Sequence, residues 1–237
     1  VGLVGSTGRL GTAIRRLLAD SKALRLGPCL VRDAERQAAL QGLGLSANVD
    51  PRAFCAAAAV IVDCSAPACC AELLPLAAAQ GVPYLLASTA LPAAAQPAIE
   101  RAAQTVAVFQ AANLSRGVAV LAALVKQAAV ALPHFDLAVS DLHHRSKRDA
   151  PSGTALALAA QAGPGRHVEY AALRGGSVVG EHTVFFLGED ERLELTHRSS
   201  SRDAFARGAL AAAEFLLGAA PGLYGMADLL GVGASEA

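Results

Sequence analysis

The spacing of apolar positions changes character partway along the chain. In the first half, short apolar runs at Val1–Val4, Leu24–Val31, Val60–Cys64, Val82–Ala87 and Val106–Phe109 predict strands. Between them, Thr12–Ala19, Ala68–Gln80 and Ala93–Gln104 carry helical spacing. Strands alternating with helices predict a parallel sheet covered on both faces. After Asn113 the rhythm differs. Val118–Ala131 is a long helical pattern, Phe135–Asp141 a strand, and Thr154–Ala162 a helix. Then His167–Leu173, Ser177–Val179, His182–Leu187 and Arg192–Arg198 read as consecutive strands joined by glycine turns, which predicts an antiparallel or mixed sheet. Ala204–Leu217 is helical again, and a Pro/Gly-punctuated tail holds Met226–Leu230. The pattern divides the chain into 1–114 and 115–206, with about 207–237 returning to the first unit.

Composition narrows the class. Of 237 residues 54% are hydrophobic, but the excess is mostly alanine, which favours helices and a buried core over disorder. No apolar run of about 18 residues escapes Pro, Gly or charge, so no membrane span is expected. No secretory leader pattern opens the chain; it starts at Val1 inside a strand, and a few native residues are expected before it. Net charge is zero, which argues against a general nucleic-acid binder. Five cysteines, an odd number with no C-x-x-C spacing, support neither a disulfide framework nor a metal site, and a cytoplasmic setting follows.

Two motifs carry chemistry. Gly5, Gly8 and Gly11 follow the first strand and open the first helix. In that context the first glycine allows the turn, the second the approach of a pyrophosphate, and the third helix–strand packing. This marks a Rossmann-type dinucleotide-binding domain, with Arg9 placed to reach a phosphate. Cofactor choice is read at the end of the second strand, where an acid binds ribose hydroxyls and an arginine accepts a 2′-phosphate. Arg32 there favours NADPH, and Asp33 leaves NADH open. The second motif, HHRSKRDAPSGTA from His143 to Ala155, sets histidines, lysine and arginines against a helix start. Unpaired N–H groups and the dipole make such a start an anion trap. Pro151 fits its first turn, Ser152 or Thr154 caps it, and Gly153 lets a ligand approach the backbone. A carboxylate-bearing ligand fits this volume. His134 and His167 read as surface or satisfied histidines, His182 and His197 as structural ones, and Arg145 and Arg148 as loop charges or subunit contacts.

With both motifs in place, the chain resembles the 4-hydroxy-tetrahydrodipicolinate (dihydrodipicolinate) reductases of lysine and diaminopimelate biosynthesis. The likeness takes in Gly5–Gly11, Asp63-Cys64-Ser65, the loop Ala87–Ala90, Ala111–Ser115, the His143 motif, Val179–Thr183, Glu191–His197 and Ser201-Arg202. It implies an NAD(P)H-dependent reductase with a dinucleotide-binding domain and an α+β substrate and oligomerisation domain built on a mixed sheet. His143 would be the general acid, and Lys147 would hold a substrate carboxylate and assist protonation. His144, Gly153, Thr154 and Thr89 would bind substrate. Gly5, Thr7, Gly8, Arg9, Leu10, Gly11, Arg32, Ala87, Thr89 and the hinge strand Ala111 to Leu114 would line the cofactor. A homotetramer is implied, and no metal.

Several positions depart from the family pattern. Ala87 and Ala90 stand where the loop usually has glycine, Cys64 where an aromatic usually follows Asp63, Ala119 for an asparagine, and Val31 for the acid at the end of strand two. These departures keep two alternatives in view: a paralogue reducing another cyclic imine dicarboxylate, and a non-catalytic NADPH-binding regulator. The presence of His143 and Lys147 speaks against the second.

Overall fold

The structure is a computed structural model that describes residues 1–87 and 91–232. Two compact units are present, Val1–Leu114 with Phe205–Leu229, and Ser115–Ala204, which residues 230–232 join.

The first unit is built on a seven-stranded sheet. In chain order its strands are β1 (Gly2–Val4), β2 (Cys29–Leu30), β3 (Ala47–Asn48), β4 (Ile61–Asp63), β5 (Tyr84–Leu86) and β6 (Ala107–Gln110). After four strands of the second unit comes β11 (Gly222–Tyr224). Their spatial order is β11-β6-β5-β4-β1-β2-β3, with every pairing parallel. Order reverses between β1 and β4, and open α/β sheets bind ligands outside the carboxyl ends of the strands at such a point. The strands read as continuous apolar runs because both faces are covered; β1, β4 and β5 are buried throughout. Helix α1 (Arg9–Ala19) buries Gly11, Ile14 and Leu18, one stripe at helical spacing.

Three details differ from the sequence pattern. The expected strand Leu24–Val31 pairs only at Cys29–Leu30, since Pro28 has no N–H to donate to a ladder. Residues 34–59, where no element was expected, hold α2 (Ala34–Gln41), β3 and α3 (Pro51–Ala56). Residues 111–114, expected as a hinge strand, continue past β6 as irregular chain, with one further ladder bond from Ala111 N–H to Leu86 O.

The second unit is a four-stranded mixed sheet with helices α6 (Arg116–Ala131) and α7 (Gly153–Ala160). Its strands are β7 (Asp136–His143), β8 (Val168–Arg174), β9 (Gly180–Leu187) and β10 (Arg192–Ser199), in the order β10-β9-β7-β8. Ser177–Val179 is not a strand: Gly176 takes φ 52° and the segment connects β8 to β9 as a turn. Strand β7 alternates strictly, burying Leu137, Val139, Asp141 and His143. Leu137 and Val139 join Leu121, Val125, Leu158, Val184 and Phe186 in the core. The next two positions on that face are charged or polar, so the core ends in a polar cluster. On the opposite face, Leu173 and Leu187 are exposed and Leu142 and Phe185 half-buried.

Candidate active site

In the first unit, the glycine loop is shaped by close backbone packing. Gly5 has φ 77°, a left-handed conformation that glycine adopts without strain, and a β-carbon there would lie 2.8 Å from Cys64 O. A β-carbon on Gly11 would lie 2.2 Å from Gly5 O, so only glycine lets α1 start this near the turn. Gly8 is the N-cap of α1, and no side chain caps that helix. Thr7, Gly8 and Arg9 beside that helix start are exposed and Leu10 is half-buried; a helix start of this kind favours anions.

At the end of β2, Arg32 is exposed. Asp33 is instead engaged as the N-cap of α2: its carboxylate accepts from Arg36 N–H at 2.9 Å and pairs with the Arg36 guanidinium. The Arg36 N–H contact holds that carboxyl below its usual range. Asp63, fully buried at the end of β4, accepts from Tyr84 Oη at 2.7 Å and Ser65 N–H at 2.9 Å. Cys64 places its Sγ 3.0 Å from Val4 O, and burial pushes its thiol up to about 12, so this cysteine packs as a neutral group. Ala87 N–H donates to Asp63 O at 2.9 Å. Thr89 and Ala90 lie outside the described residues. Leu114 is buried against α8 (Asp203–Gly218): a β-carbon on Gly208 would fall 1.7 Å from Leu114 O.

In the second unit, the His143 motif lies at the polar end of β7. Asp141 and His143 share its buried face, and Asp141 Oδ1 meets His143 Nδ1 at 3.1 Å. Asp141 Oδ2 accepts from Ser152 N–H at 2.6 Å, and Oδ1 also pairs with Arg174. Ser152, not Thr154, caps α7, accepting from Ala155 N–H at 3.1 Å; Pro151 precedes the cap and does not form the first turn. Ser152 Oγ also lies 3.1 Å from His182 Nε2. The His182 ring packs edge-on to His143, with centroids 5.1 Å apart and planes at 73°. His182, read from the sequence as structural, packs within the His143 cluster.

Electrostatics follow from this packing. Burial alone would raise the Asp141 carboxyl, but the Ser152 N–H, Arg174 and His143 together hold it below its usual value. Burial lowers His143, with Lys147 acting in the same direction, while Asp141 opposes both. Burial drives His182 down to about 4, so it is neutral at physiological pH.

The remaining expected residues cluster nearby. Half-buried Lys147 donates to Asp149 Oδ2 at 2.8 Å, and His144 Nδ1 lies 2.9 Å from Ser146 Oγ. Gly153 is exposed, and nothing beyond its chain neighbours and its own helix lies within 4 Å of where its β-carbon would be; its N–H is turned to the Asp149 carboxylate, which Lys147 also engages. Thr154 is half-buried. Asp141 and Arg174 were not singled out from sequence. Asp141 carried a signal, an acid two residues before His143 on a period-two strand. Arg174 carried none, since its place opposite His143 depends on the β7–β8 register. Among the expected histidines, His167 is solvated and pairs with Glu169 at 2.8 Å.

Comparison with known proteins adds lineage to this geometry. The family described as "Dihydrodipicolinate reductase, N-terminus" matches residues 1–114, and "Dihydrodipicolinate reductase, C-terminus" matches 117–230. A 4-hydroxy-tetrahydrodipicolinate reductase of Xanthomonas euvesicatoria is 42% identical over 227 residues, 95% of each chain. One from Anaeromyxobacter sp. is 40% identical, with 97% of each chain covered. Among solved structures, a dipicolinate-bound dihydrodipicolinate reductase from Paenisporosarcina sp. TG-14 superposes with a TM-score of 0.77 at 16% identity, covering 94% of this chain and 96% of that one.

Proposed function

The chain belongs to the dihydrodipicolinate reductase family, and from that premise we propose that it reduces 4-hydroxy-tetrahydrodipicolinate to tetrahydrodipicolinate, with loss of water, at the expense of a nicotinamide cofactor. The observation that carries the reading is the convergence of His143, Lys147 and the exposed start of α7 at one end of β7, where an acidic side chain, Asp149, already sits on Lys147 and the Gly153 N–H. A dicarboxylate needs fixed positive partners, and charge-assisted hydrogen bonds contribute roughly 1.5–3 kcal/mol each. Lys147 and the Gly153 N–H, which the Asp149 carboxylate engages in this structure, hold one substrate carboxylate in its place, with Thr154 beside them; His144 serves the other.

When bound, the cofactor supplies the hydride. His143 supplies the proton that the reduced, enamine-like ring must gain, and a placed acid of this kind contributes roughly 10²- to 10⁴-fold. A substrate dianion beside His143 favours its protonated form, offsetting the lowering by burial. Gly5, Thr7, Gly8, Arg9, Leu10 and Gly11 hold the pyrophosphate, with Ala87, Ala111 and Leu114 lining the rest of the cofactor site. NADPH is preferred, since Arg32 is exposed whereas Asp33 is engaged with Arg36. The apolar outer face of the second sheet, with Leu142, Leu173, Phe185 and Leu187, is where copies of the chain join in a homotetramer. The setting is the cytoplasm. No helix among the described residues is long and apolar enough to cross a membrane.

The test is oxidation of NADPH, then NADH, with freshly prepared 4-hydroxy-tetrahydrodipicolinate. Turnover with either establishes the reaction; none with both, while cofactor still binds, sinks it and moves the search to other cyclic imine dicarboxylates.

A further inference from the structure

Four of the seven buried polar or charged residues among those described, Asp141, His143, Ser152 and His182, form one cluster. Burying a carboxylate costs several kcal/mol before pairing, and well-packed apolar residues often serve stability as well or better. Core packing alone therefore gives no reason for Asp141 at 1% exposure.

Its contacts give one. The carboxylate divides its oxygens between two parts of the site: Oδ1 faces His143 Nδ1, and Oδ2 accepts from Ser152 N–H. Ser152 caps α7 and reaches His182, and His182 packs on His143, which closes a ring of contacts. We propose that Asp141 is a positioning residue of the reduction, tying the proton donor to the carboxylate-binding start of α7 and fixing the orientation of its ring. This rests on His143 being the donor. With Nδ1–H directed at Asp141, proton exchange is confined to Nε2.

The charged and titratable groups facing His143 are Asp141 on β7, Arg174 on β8, His182 on β9 and Lys147 on the loop. Arg174 and Lys147 oppose an imidazolium, and neutral His182 adds no charge. Asp141 alone of the four favours the charged ring. Arg174 draws on the same Oδ1 that faces His143, so it moderates the effect.

The two partners give opposite predictions. In Asp141→Asn, whose amide oxygen still accepts from Ser152, the alkaline limb of the kcat–pH profile moves down by about one unit or more. The ¹⁵N-imidazole NMR titration of His143 moves with it. KM and the Kd for pyridine-2,6-dicarboxylate, used as a planar dicarboxylate probe, change by less than about threefold. Asp141→Glu restores part of the shift. In Arg174→Gln the limb and the titration move upward. A limb and titration that stay at the wild-type pH in both variants, with only melting temperature and overall rate falling, overturn the proposal. If Asp141→Asn fails to fold, Arg174→Gln decides by the sign of its shift. Absence of turnover in the wild-type protein defeats the reaction assignment instead, and the NMR titration still judges Asp141.

Discussion

Gly180 lies directly against the ring of His143: a β-carbon on Gly180 would sit 3.0 Å from Nε2. The ring cannot retreat freely, because Asp141 holds its other nitrogen and His182 packs on it. In Gly180→Ala, kcat is expected to fall by about 10- to 10²-fold, the scale of a misplacement of up to an ångström. Cofactor affinity stays unchanged. Steady-state kinetics beside cofactor titration checks this; an unaltered kcat shows that the ring has room the structure does not display.

Replacing the donor itself has a larger effect. His143→Gln is expected to lower kcat by about 10²- to 10⁴-fold with cofactor Kd unchanged. Wild-type turnover in that variant removes His143 from the acid role.

Gly153 separates binding from stability. Nothing beyond its chain neighbours and its own helix lies within 4 Å of its β-carbon position, so Gly153→Ala folds with an unchanged or slightly higher melting temperature. The added methyl instead obstructs an anion at the start of α7. KM for the dicarboxylate is expected to rise about tenfold or more, the loss of one charge-assisted hydrogen bond. An unchanged KM places the carboxylate elsewhere.

For the cofactor, Arg32→Ala is expected to weaken NADPH by about tenfold or more while leaving NADH within about twofold, the cost of one charge-assisted phosphate contact. Equal losses for the two cofactors remove Arg32 from the 2′-phosphate.

The His182 environment makes stability depend on pH. Its folded value of about 4 lies below the ordinary 6.5, so the unfolded chain binds the proton more tightly. Its contribution is complete above about pH 6.5 and is lost as pH falls toward 4, up to about 3 kcal/mol. His143 and His197, also lowered by burial, add in the same direction. Melting temperature should fall from pH 7.5 to 5, and fall less in His182→Gln. A drop of equal size in both assigns the acid sensitivity to other groups.

The glycine loop and the helix after the His143 motif were legible because each combines a local backbone demand with an element boundary. Gly5 needs positive φ and Gly11 close packing, and both demands are met within seven residues. Strand spacing left the second sheet antiparallel or mixed, and the family resemblance pointed to mixed. What remained hidden depends on register. Arg174 meets Asp141 only because β8 lies beside β7, and His182 reaches Ser152 only because β9 pairs Asp141 with His182. Residues 34–59 were unreadable for another reason: α2 and α3 span 8 and 6 residues and bury only Leu40, Phe54 and Cys55, too few to set a period.

The first unit is discontinuous in the chain, and this orders its assembly. Strand β6 ends at Gln110, yet its outer neighbour β11 begins at Gly222, and Gly208 meets Leu114 from helix α8. On a ribosome, everything from Ser115 to Ala204 emerges before either closing piece exists. During that interval the nascent nucleotide unit carries a bare β6 edge and an uncovered Leu114. Premature termination between these two points leaves an open sheet edge, a template for pairing with another chain that the finished protein does not present at β6.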